Sequence, residues 1–149
     1  MSLRSLLLAL ICLGIAGLTT ELLLLNHFED AWQLVPLVLL AQGASAVVWQ
    51  LLAPTAISTR YFQLTMALMA VAGVAGIVLH YRGNLEFQLE IDATQSSWDL
   101  FRKVIHAKAP PALAPGAMTQ LGLLGLVYTF RHPALSPGDG PSAPGGVAP

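Results

Sequence analysis

Four apolar runs, near residues 5–25, 32–53, 61–81 and 112–131, alternate with shorter polar connections along this chain of 149 residues. A hydrocarbon core about 30 Å thick is crossed by about 20 residues rising 1.5 Å each. Each run reaches or approaches that length. The pattern predicts an all-α integral membrane protein built as a bundle of four transmembrane helices.

Small residues predict how those helices pack. The second run holds Gln42-Gly43-Ala44-Ser45-Ala46 at its middle, and Pro36 falls in its first turns, where a missing N–H is tolerated. The third carries Ala67, Ala70, Ala72, Gly73, Ala75 and Gly76; the fourth opens at Pro115-Gly116 and holds Gly122 and Gly125. Small side chains let membrane helices approach closely where no hydrophobic drive separates protein from lipid.

Residues 82–111 read as a short outer cap. Leu85, Phe87, Leu89 and Ile91 alternate with Glu86, Gln88 and Glu90, the period of a half-buried strand. Ser96 or Ser97 is placed to cap a following amphipathic helix, in which Trp98, Phe101 and Ile105 recur at helical spacing and which Pro110 and Pro111 stop. A lone strand leaves backbone groups unpaired, so residues 85–105 are the expected contact for a partner protein or a second copy of the chain. The competing reading is an extended segment pressed onto the bundle. Residues 132–149, rich in Pro, Gly, Ala and Ser, read as a disordered tail.

Composition narrows the classes. Hydrophobic residues make up 55% and charged ones 10%, against about 25% charged in a soluble domain, so membrane lipids are the constant partners. A net charge of -1 without a basic stripe excludes nucleic acid. The single cysteine, Cys12, permits no intramolecular disulfide. The first apolar run exceeds the roughly 7–15 residues of a secretory signal and lacks a small-residue cleavage site, so it reads as a retained helix.

Arg4, Arg60 and Arg131 border one side of the spans, and the connection from Asn26 to Ala31 has no Lys or Arg. The positive-inside rule then puts both termini in the cytoplasm, with a bacterial inner membrane as the expected location. Arg82, Arg102, Lys103 and Lys108 pull the other way, but they are spread through a long connection. With four crossings, the first and third connections share a side. That side gathers His27, Glu29, Asp30, His80, Glu86, Glu90, Asp92, Asp99 and His106, so polar chemistry belongs there.

At 100° per residue, Gly14 and Gly17 share a stripe with Glu21, and Met69, Gly73 and Gly76 share one with His80. Ionisable groups inside a span are costly and are paired or functional. Glu21 and His80 are therefore expected to point inward near one end of the bundle and to meet. His27 and Glu86 extend this into a candidate ligand site of Glu21, His27, His80 and Glu86. Imidazole and carboxylate suit zinc, copper or iron, but no H-E-x-x-H or paired cysteines occur, so no metal or cofactor is assigned. No catalytic residue is assigned either: Cys12 lacks a base and no serine sits in a G-x-S-x-G turn. Two functions remain. One is a non-enzymatic subunit, assembly factor or scaffold that docks a partner through its outer loop. The other is a small membrane enzyme or carrier that uses Glu21 and His80 to handle a proton, metal or polar ligand.

Overall fold

The computed structural model describes residues 2–107 and 113–136. Helices α1 (Leu3–Leu24), α2 (Ala31–Leu52), α3 (Ala56–Ile91), α4 (Ser97–Ile105) and α5 (Leu113–Thr129) are followed by a 3-10 turn at Pro133–Leu135. No strand is present among the described residues. α1, α2 and α3 are long and apolar enough to cross a membrane. α5, with 17 residues, is shorter, about 26 Å by helix rise.

Local chemistry explains the boundaries. Ser2 caps α1 by accepting from the Ser5 N–H. α1 ends where Asn26 turns left-handed at φ 51. That turn lets the N–H of His27 reach the carbonyl of Leu22 at 2.9 Å, and the N–H of Asn26 that of Leu23 at 3.1 Å, a Schellman closure with Asn in the place of Gly. Asp30 caps α2 by accepting from Trp32 and Gln33. Ala53 precedes Pro54 and leaves helical space. Thr55 and Ser58 then form a reciprocal capping box that starts α3.

The expected strand at 85–91 is corrected: these residues continue α3 as helix. Alternation at two also repeats at four, so Leu85 with Leu89, Glu86 with Glu90 and Phe87 with Ile91 fit successive helical turns. The helix satisfies its own backbone, whereas a lone strand would need a neighbour. α3 is consequently 36 residues long, about 54 Å. Of the four expected spans, α1, α2 and α3 have the length and apolar character to cross a membrane, and the amphipathic helix expected after Ser96 is α4, which makes five helices among the described residues. α5 begins at Leu113, so Pro115 sits in its first turn, where no N–H is needed. Of the expected disordered tail, residues 133–135 form the 3-10 turn. Residues 137–149, and the stop at Pro110 and Pro111, lie outside the described residues.

α1 packs on α2 and α5, and α3 packs on α2, α4 and α5. Ile11, Leu40, Phe62, Met66 and Met69 form the fully buried centre. The closest approach joins α3 to α5. A Cβ added at Gly122 would meet the Ala70 nitrogen and Met66 oxygen at 2.5 Å, and one at Gly73 would meet the Pro115 oxygen and Thr119 nitrogen at 2.6 Å. Gly76 faces the Pro115 ring and Gly125 the Met66 side chain. The outward sides stay apolar, as at Leu13, Leu52 and Val71.

Replacing Gly122 with Leu should therefore push backbone from backbone and lower stability by about 3 kcal/mol or more, the upper range of overpacking. Val78→Ala, on an exposed site, should change stability by about 0.5 kcal/mol or less. Thermal unfolding in mild detergent measures both. Equal midpoints for Gly122→Leu and wild type would contradict the seam.

Candidate functional site

Glu21, on the last turn of α1, is half-buried and lines a groove between α1 and α5 of about 310 Å³. Gly14, Gly17, Ala117, Gln120 and Leu124 line the same groove. His80 lies one turn beyond Gly76 on α3, half-buried, and its Nδ1 is enclosed without a hydrogen-bond partner. Gly14 packs on Leu121 while Gly122 packs on Ala70, so Glu21 and His80 approach α5 from opposite flanks at similar height. Among the described residues no hydrogen bond joins them. His27 lies in the turn after α1, its N–H held by Leu22 O. Glu86 is exposed on the far end of α3. The four are not gathered by hydrogen bonds into one cluster. No three His, Cys, Asp or Glu side chains among the described residues are grouped so as to hold a metal ion.

The more strongly built polar cluster lies at the opposite end and is not legible as a motif. Gln50 is 2% exposed, Ser58 and Thr59 are 0%, and His132 is 7%. Ser58 Oγ–H donates to Ala53 O at 2.6 Å and Thr59 Oγ1–H to Thr55 O at 2.8 Å. The Gln50 carbonyl oxygen Oε1 stands as acceptor 3.1 and 3.2 Å from the same two hydroxyls. The N–H of Ala134 donates to His132 Nδ1 at 3.2 Å, which puts the ring proton on Nε2, 3.4 Å from the Gln50 amide. Beside it, Arg4 Nη2 donates to Arg131 O at 2.8 Å, so the start of α1 is tied to the chain leaving α5. The only clue in the sequence was the Thr55/Ser58 capping pattern; Gln50 and His132 are 82 residues apart.

Beyond the packed helices, the end of α3 and α4 form a projecting hairpin. Its turn is closed by side chains: Asp92 Oδ1 accepts from the N–H and hydroxyl of Thr94, which holds the Asp92 carboxyl below the usual carboxylate range. Gln95 Nε2 donates to Gln88 O and Asp92 O, each at 2.8 Å. Ser96 caps α4 through Asp99 N–H, and Lys103 Nζ donates to Gln95 Oε1. α4 has three faces. Leu100 and Val104 turn inward. Asp99, Arg102, Lys103 and His106 line a polar recess of about 280 Å³. Trp98, Phe101 and Ile105, within about 60° of one another, remain 66%, 41% and 52% exposed. Trp98 and Phe101 stack with centroids 5.8 Å apart. On the same hairpin Phe87 and Ile91 are 57% and 64% exposed.

Comparison with protein-family models, with curated proteins and with solved structures gives no match for this chain.

Burial first, and then the charge of Arg4, push the His132 imidazole below its ordinary 6.5. Its neutral form is favoured in the folded state, so its contribution to stability is complete above about pH 6.5 and is lost as pH falls through its lowered value. The melting temperature of the wild type should fall between pH 7.5 and 5, and that of His132→Gln should fall less over the same interval. Identical pH profiles would remove His132 from the acid response.

Proposed function

We propose that this chain is a four-span integral membrane protein with both termini in the cytoplasm. Its function in this reading is that of a non-enzymatic scaffold or assembly subunit that docks a partner protein on the α3–α4 hairpin. The fourth span is α5, about 26 Å long and packed along α3. Arg4, Arg60 and Arg131 at one end of the bundle support the orientation.

The exposed aromatic face of α4 carries the functional reading. A hydrocarbon core with its headgroups is about 40–45 Å thick, and α3 at about 54 Å runs past it even at an ordinary tilt near 20°. Trp98 and Phe101 follow the far end of α3, in the layer where water, not lipid, meets the surface. Exposed aromatic side chains there are the residue types that dominate protein interfaces. The polar recess of α4 supplies the charged rim of the same docking face.

A second reading is favoured by one observation, the enclosed Nδ1 of His80: a polar ligand held between His80 and nearby groups of the same end, Glu21 included. The two readings separate by mutation. In cells deleted for the protein, Trp98→Ser with Phe101→Ser should fail to restore the deletion phenotype although the chain accumulates normally. Glu21→Gln with His80→Asn should restore it. A photoreactive residue at position 98 should trap one protein adduct of constant mass, absent when the same residue replaces lipid-facing Val78. The opposite pattern, rescue by the hairpin variant and failure of Glu21→Gln with His80→Asn, would replace docking with the ligand site.

A further inference from the structure

The groove between α1 and α5 presents a polar side chain in the middle of a span. Gln120 is exposed on its lip, about 10 Å below the start of α5 and about 14 Å above its end. The side-chain hydrogen bonds of α5, Thr119 to Pro115 O and Thr129 to Leu126 O, leave it unengaged. In the four-span arrangement proposed above, on which this inference rests, that amide faces hydrocarbon, where an unmet N–H and C=O are strongly unfavourable.

Beside Gln120 the groove is floored by Gly14, Gly17 and Ala117. A Cβ added at Gly17 would meet nothing within 4 Å, so the space above it is open. Small residues that admit a second backbone, with an amide that can bond across the gap, are what holds helices together in lipid. A primary amide both donates and accepts, so it complements a copy of itself across a two-fold axis, where each contact is made twice. No basic side chain lines the groove.

We propose that two copies of this chain pair along the α1/α5 groove, with the two Gln120 amides hydrogen-bonded near the axis and Gly17 in close contact with its copy. Glu21 lies about 10 Å further toward the hairpin end. The like Glu21 side chains keep the closest approach at the Gly17 level and splay the helices beyond it. Cys12, about 180° around α1 from Glu21, faces away from the pairing seam.

Energy transfer between two dye-labelled populations of the full chain in vesicles, carrying Ser2→Cys in a Cys12→Ala background, tests this as lipid is added. Transfer should be present and fall on dilution with lipid. Gly17→Leu should abolish it while leaving the melting temperature unchanged, because the new side chain enters open space. Gln120→Leu should raise the dissociation constant roughly 3- to 30-fold, the range of interhelical polar contacts. Glu21→Gln should tighten pairing by removing like charges. Equal transfer in wild type and Gly17→Leu, or none in wild type at any lipid ratio, would overturn the proposal. Loss of transfer in Glu21→Gln would also overturn it, because the Glu21 side chains would then be holding the copies together. Protection of Gln120→Cys from a membrane-impermeant maleimide checks the span separately. Reaction there would remove the four-span reading itself, whereas protection without transfer would remove only the pairing.

Discussion

The backbone-to-backbone contact of α3 with α5 is the constraint on which the rest of the arrangement hangs. Helices with apolar outer faces gain little by turning toward one another when their surroundings are equally apolar, so they associate through contact area. Gly73, Gly122 and Gly125 supply that area by removing side chains from the seam. Once α5 is seated there, it stands between α1 and α3. That position leaves an open groove on the α1 flank, which Glu21 lines.

The two ends of the bundle are built differently. At one, Gln50, Ser58, Thr59 and His132 close a buried network, and Arg4 clamps the exit of α5. Gln50 with His132 and Arg4 with Arg131 join segments 82 and 127 residues apart, so this end resists separation of the helices. At the other end α3 runs on and, among the described residues, packs on α4, whose turn is held by local bonds from Asp92, Gln95 and Ser96. A rigid base with a self-contained projection suits presentation of a surface better than enclosure of a reaction. The exposed stack of Trp98 and Phe101 lies on that projection.

Much of this could be read before any coordinates. The long apolar helices follow from run length, and the packing role of Gly73, Gly76, Gly122 and Gly125 from their spacing. The cap of α4 at Ser96 is where its Asp99 three residues on would put it. The misread segment, 85–91, failed for a physical reason: a period of two contains a period of four, and only partner availability decides between strand and helix. Glu21 and His80 both follow small-residue stripes toward a neighbouring helix, but helical phase says nothing about which neighbour, and for Glu21 it is α5. Gln50 and His132 are not legible in the sequence, because a polar residue near the end of an apolar run looks like an interfacial one. Their burial depends on a contact made across most of the chain.

The central claim is that α3 carries an apolar, water-facing surface out of the membrane on the side opposite the chain's end. Thiol labelling in intact cells tests it most directly, using Phe101→Cys or Ser136→Cys in a Cys12→Ala background, with a membrane-impermeant maleimide added outside. The account predicts rapid labelling of Phe101→Cys before lysis and of Ser136→Cys only after it. Protection of Phe101→Cys both before and after lysis would put that face in lipid. Labelling of both positions from one side would place the hairpin and the chain's end together, and either result would contradict the account.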